Sequence, residues 1–149
     1  MKKERISSEL VAEPPPRLRS NCLRVGDVVY VSGMTARAMD GETLLGGNEY
    51  EQAKAIFTKI RNLVEAAGGR MDDVVKMTIF VTEIANNREV WRARGEFFSG
   101  DFPACSLVEV SKLAKPEILV EIEAIAHIGC SAGSLSDRAE ATCESKAKT

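Results

Sequence analysis

The chain reads as an α+β domain, with two helices on one face of a mixed, mostly antiparallel sheet. Three observations predict this class. One apolar stripe at helical spacing runs from Ala53 to Ala67, a stretch of alternating residues follows from Val74 to Thr82, and strand-like runs stand near both ends, around Val28 and Leu119. At 149 residues the chain is long enough for one domain with a real core and short for two.

Taken in order, Pro14-Pro15-Pro16 removes three backbone donors, so residues 1–16 are expected to form an extended, flexible lead-in. Leu18 to Arg24 and Val28 to Ser32 are strand-like, and Val25-Gly26-Asp27 between them reads as the turn of a hairpin. Past an aperiodic loop, Ala53, Ile56, Phe57, Ile60, Leu63, Val64 and Ala67 draw the stripe of the first helix. Asn48 with Glu51 resembles a capping pair, and Gly68-Gly69 closes the far end. In the next strand Val75, Met77, Ile79 and Val81 form a greasy face expected under that helix. Asn86 or Asn87 then caps a second helix, roughly Arg88 to Phe98, with Val90, Trp91, Phe97, Phe98 and Arg94 on one side. Ser99 to Val110 is a helix exit and a turn stiffened by Pro103 that feeds a strand. With Leu119 to Ala126 it is expected to form a second hairpin. From residue 129 to 149 there is almost no large apolar side chain, so this segment is expected to be a flexible tail, leaving 17–128 as the single folded domain.

Composition narrows the function classes. A formal charge of −2 and a pI near 5.6, with cations scattered among acids, give no sign of a nucleic-acid surface. No apolar run approaches the roughly 20 residues of a membrane span, and the charged N-terminus lacks a signal-peptide core, so a cytoplasmic protein is expected. Cys22, Cys105, Cys130 and Cys143 show no ligand-like spacing, and His127 stands alone. Reduced thiols and no metal are expected.

Val31-Ser32-Gly33, Glu65-Ala66-Ala67-Gly68, Met71-Asp72-Asp73-Val74-Val75-Lys76, Phe97-Phe98, Phe102-Pro103-Ala104 and Val120 to Ala126 stand in an order and spacing that resemble the Rid (reactive intermediate deaminase, YjgF-type) family. The resemblance implies a chorismate-mutase-like fold, assembled as a homotrimer with small-molecule clefts between neighbouring subunits and with Lys76, Thr78 and Phe80 facing a central contact. It also implies hydrolysis of enamines and imines, such as 2-aminoacrylate, to a 2-keto acid and ammonia without a cofactor. In active members of the family an Arg after the Pro-Ala pair forks the substrate carboxylate, a Glu in the last strand positions water, and a Tyr near the first strand closes the pocket. Those roles fall here on Cys105, Glu121 and Arg19, with Glu123 an alternative to Glu121. Ser32 and Gly33 match the pocket-lining pair, Trp91 takes a cleft position, and Ser106 follows Cys105.

A bidentate charge-assisted pair contributes on the order of 1.5 to 3 kcal/mol, so its loss at Cys105 weakens carboxylate capture roughly tenfold to hundredfold. Arg19 and Arg94 are the candidate replacements. Plain structural readings stand beside these: Cys105 as a small strand residue, the two Glu as paired strand carboxylates, Arg19 and Arg94 as surface cations, Trp91 as core or interface, and His127 as a structural histidine. Two function classes follow, an imine or enamine deaminase with altered specificity and a non-catalytic metabolite-binding or regulatory trimer. RNA cleavage, also attached to relatives, fits the acidic balance poorly.

Overall fold

The structure, a computed structural model, describes residues 1–133; from residue 134 onward the expected tail, with Cys143, lies outside the described residues. Six strands form one sheet: β1 (Lys3–Ile6), β2 (Cys22–Val25), β3 (Val28–Met34), β4 (Val74–Val81), β5 (Ala104–Glu109) and β6 (Val120–His127), in the order β1-β2-β3-β6-β4-β5. Only the β4–β5 pair is parallel. Helices α1 (Glu49–Ala66) and α2 (Asn87–Gly95) pack against each other, and α1 lies against β3 and β6.

Helix α1 forms where its stripe predicts. Ala53, Ile56, Phe57, Ile60, Leu63 and Val64 are fully buried, and each large side chain among them contributes on the order of 2 kcal/mol. Asn48 Oδ1 accepts from the Glu51 amide at 2.9 Å, while the Glu51 carboxylate accepts from Gly47, one residue short of a closed capping box. At the other end Arg24 Nη1 donates to the Ala67 carbonyl at 2.7 Å, covering one of the acceptors a helix leaves open. Phe57 meets Phe97 and Phe98, with ring centroids 5.4 and 6.2 Å apart, and so joins α1 to the exit of α2.

Several expectations are corrected. The lead-in is part of the fold: Ile6 pairs with Cys22, and Ile6 and Val11 are buried. Lys3, Glu4 and Arg5 form a charged edge strand, a common protection against edge-to-edge pairing and a poor hydrophobic signal. The strand expected from Leu18 begins only at Cys22, after a turn in which Arg17 adopts a φ of 63°.

The second hairpin is absent. β5 lies parallel to β4 because α2 serves as its crossover, and β6 inserts between β3 and β4. The greasy face of β4 begins out of phase: the register shifts between Val74 and Lys76, so Val74 is buried and Val75 exposed. This is a bulge, and from Met77 onward the expected face packs inward. On α2, Val90 and Ala93 are buried, whereas Trp91 is 44% exposed and lies off the buried side. Among the described residues no helix is long and apolar enough to cross a membrane.

The start of β6 is held by a buried side chain. Gln52 Nε2 donates to the carbonyls of Gly46 and Glu117, and its Oε1 accepts from the Leu119 amide at 2.9 Å. These bonds place Glu121, two residues on.

Candidate functional site

Because both helices cover one face of the sheet, the other face is bare in a single chain. Glu121, Glu123, Ile125 and His127 of β6 alternate onto it, next to Tyr30 of β3, Lys76, Thr78 and Phe80 of β4, and Ser106 and Val108 of β5. Tyr30 and Val108 are 47% and 43% exposed. A groove of about 240 Å³ runs along this face between Tyr30, Ser32, Lys76, Thr78 and Glu123.

The most specific geometry lies at the end of β3. Val31 pairs with Ala124 and Met34 with Ile122, so three steps on β3 match two on β6, and a bulge falls at Ser32-Gly33. Ser32 holds the bulge: its hydroxyl donates to the Ser20 carbonyl at 2.6 Å and its amide to the Asn21 carbonyl at 2.9 Å. The half-buried Glu121 side chain lies over Gly33. A Cβ at position 33 would stand 3.1 Å from Glu121 Cδ and closer than 3.0 Å to Oε1. Glycine is therefore what lets a carboxylate rest against this backbone. Glu123, two residues on, is exposed and borders the groove instead. The structure thus brings Ser32, Gly33 and Glu121 together.

Cys105 is not with them in the same chain. It pairs with Met77, faces the helix side of β5 and packs half-buried against the core, while Ser106 turns to the open side, 3.4 Å from Lys76 Nζ. Glu121 and Cys105 lie on opposite faces of one sheet, and β5 is an edge strand. The turn before β5 is tied down by Asp72, which accepts from both the amide and the hydroxyl of Ser99 at 2.9 and 2.6 Å. Arg94 places its guanidinium carbon 5.8 Å from the Phe102 ring centre, and its buried Nε has no hydrogen-bond partner among the described residues. Arg94 is thus held beside the turn that leads to Cys105.

Arg19 lies in a third place. It lines a separate cavity of about 120 Å³ with two cations that the sequence reading passed over, Arg37 and Lys59. Lys59 donates to the Thr35 carbonyl at 2.7 Å. Its ammonium is pushed down to about 8, first by burial and then by the charges of Arg37 and Arg19. A readable signal existed: Lys59 stands between Ile56, Ile60 and Leu63, a cation at the margin of an apolar stripe. Among the described residues no three His, Cys, Asp or Glu side chains are placed to hold a metal ion. Burial pushes the Cys22 thiol up to about 11, which makes it inert.

The sequence profile of the family described as Endoribonuclease L-PSP matches residues 14–128. The chain belongs to this family. It is the group also called Rid or YjgF, and the comparisons agree across nearly the whole fold. A 2-iminobutanoate/2-iminopropanoate deaminase of Dermatophagoides farinae is 35% identical over 128 residues, covering 86% of this chain and 99% of that protein. A Pseudomonas aeruginosa protein of unknown function is 39% identical, with a TM-score of 0.75 over 86% of this chain and 94% of its own. A Yersinia pestis member of the conserved Rid protein family is 33% identical, with a TM-score of 0.77 over 85% of this chain and 100% of its own. The two helices and six-stranded mixed sheet are those of Rid structures.

Proposed function

We propose that this Rid-family chain hydrolyses a small imine or enamine, without a cofactor, in clefts between the subunits of a homotrimer. The observation that carries the reading is the Glu121 carboxylate resting over the Gly33 bulge. There it can accept a proton from a water that adds to the carbon of a C=N bond. The imine nitrogen takes up a proton, and the resulting carbinolamine then collapses: the C–N bond breaks, ammonia leaves, and the carbonyl forms. Ser32 and Gly33 line the floor beside this carboxylate.

The trimer reading draws support from the bare sheet face, where Tyr30 and Val108 are exposed and Phe80 and Ile125 half-buried in one chain. A neighbour seated against that face and the β5 edge would bring its own edge residues to Glu121, supplying Cys105, Ser106 and the Trp91 and Arg94 side chains of α2 from a second chain. Cys105 stands where active relatives are expected to hold a guanidinium, so ordinary 2-imino acids are poor substrates unless Arg94 receives the carboxylate; Arg19, the other expected replacement, lines a different cavity. The same cysteine favours a second reading, a non-catalytic trimer that binds a metabolite in these clefts. The formal charge of −2 and pI near 5.6 favour a small molecule over RNA in either case.

The test is keto-acid release from imines generated in place by an amino-acid oxidase. Deaminase activity predicts release faster than the protein-free control and a loss of at least tenfold in Glu121→Gln. A rate equal to the control, unchanged in Glu121→Gln, leaves the binding reading.

A further inference from the structure

The cavity at the end of β3 holds three cationic side chains from three separate parts of the chain. Arg19 comes from the approach to β2, Arg37 from the hairpin after β3, and Lys59 from α1. Their surroundings are built rather than loose. The hairpin carrying Arg37 is closed by backbone bonds from Ala38 to Thr43 and from Leu45 to Ala36, each 2.7 Å. Asn21 is buried and donates to the Ala12 carbonyl at 2.9 Å, fixing the opposite wall.

Among the described residues none of the three has a carboxylate within ion-pair distance, although Glu13 also lines the cavity. Glu13 gives its Oε2 to Arg5 at 2.7 Å, and Asp40, next to the lining residue Gly41, accepts from the amides of Glu42 and Thr43 and from the Thr43 hydroxyl. The Arg37 Nε is buried with no hydrogen-bond partner among the described residues, and Lys59 uses one of its three donors on Thr35. Gathering like charges and leaving a buried donor unpaired is unfavourable unless something supplies the missing acceptors.

We infer that the pocket framed by Arg19, Arg37 and Lys59 is a binding site for a small oxyanion, a carboxylate or phosphate group, with these three cationic side chains supplying its donors. The site stands on its own residues, whether or not the chain deaminates imines. A cavity of about 120 Å³ takes one such group and little more, so the rest of a larger ligand would lie outside it. Burial first, and then the charges of Arg37 and Arg19, weaken the hold of Lys59 on its proton, and a bound anion would offset the charge part of that bias.

Calorimetric titration of the full chain with sodium phosphate and, separately, malonate tests this, with chloride adjusted to constant ionic strength. Saturable binding of one anion per chain is expected. It weakens at least tenfold in Arg37→Gln and in Lys59→Met and is unchanged in Arg61→Gln, whose guanidinium stacks on Phe97 elsewhere. Tighter phosphate binding points to a phosphate ester as the natural ligand, tighter malonate binding to a carboxylate. No saturable heat with either anion, or equal affinity in both pocket variants, overturns the proposal. Should a variant fail to fold, NMR titration of the wild-type Lys59 ammonium decides: added anion raises its pKa from about 8 toward its ordinary value, and an unmoved value contradicts the site.

Discussion

Replacing Gly33 by alanine separates the placement of one carboxylate from the stability of the fold. The backbone at Gly33 is not in the left-handed region, so alanine meets no conformational barrier there. Its Cβ, however, would stand 3.1 Å from Glu121 Cδ, 3.3 Å from Cγ and under 3.0 Å from Oε1. Those atoms are the far end of a flexible side chain, so the carboxylate withdraws while the backbone stays. Restoring ordinary contact requires a retreat of about 1 Å, and a misplacement of that size costs on the order of 100-fold in rate where a group must meet a reacting atom. Stability moves little, because alanine gains about 0.4–1 kcal/mol by restricting the unfolded chain, which offsets the displaced side chain. The assays are keto-acid release from imines formed in place and a thermal melt. Gly33→Ala should lose activity nearly as fully as Glu121→Gln while its Tm shifts by no more than about 4 °C. Activity within about threefold of wild type would refute the claim that Glu121 works from its place over Gly33.

On the proposed reading, Cys105→Arg should raise turnover of 2-imino acids roughly tenfold to hundredfold at low substrate, measured as kcat/KM, since it supplies a carboxylate fork at the position to which the family resemblance assigns one. Asp73 is buried and accepts from the amides of Arg70, Gly129 and Ser131 at 2.9, 3.1 and 2.9 Å; burial pushes its carboxyl up and these bonds more than reverse that, leaving it below its ordinary value. Its stabilisation is therefore full above about pH 3.8 and fades as pH falls through the lower folded value, and Asp73→Ala should cost on the order of 3 kcal/mol in urea unfolding at pH 7 and progressively less as the medium is acidified below about pH 3.8. Lys59 gives a slope of the same sign at alkaline pH: held near 8 in the fold against 10.5 unfolded, it makes unfolding free energy rise as pH climbs between those values, and Lys59→Met should remove that rise.

What could be read from the residues was what a period records. The α1 stripe from Ala53 to Val64 needed only spacing, and every residue in it is buried. Alternation also found β4, but a bulge adds one residue without a compositional mark, so Val74 and Val75 exchanged faces. Pairing partners are not periodic at all: β5 and β6 adjoin in sequence, yet β4 lies between them, since a helical crossover makes β4 and β5 parallel. The charged run Lys3-Glu4-Arg5 concealed an edge strand. The same split runs through the site. Ser32, Gly33 and Glu121 were identified by resemblance, and they meet at one bulge. Arg37 and Lys59 join Arg19 only through tertiary folding of a hairpin onto a helix; Lys59 is marked in sequence as a cation at the margin of the apolar stripe, Arg37 is not.

In one chain Glu121 and Cys105 face opposite sides of the sheet, so the proposed cleft needs two chains. Glu121→Cys in a background with Cys130→Ser and Cys143→Ser, treated with a short bis-maleimide, tests this directly. A joint site predicts covalent dimers and trimers linked between position 121 and Cys105 of the neighbouring chain, identified by peptide mass spectrometry. Monomers alone after treatment, together with a monomeric mass by sedimentation equilibrium, would contradict it.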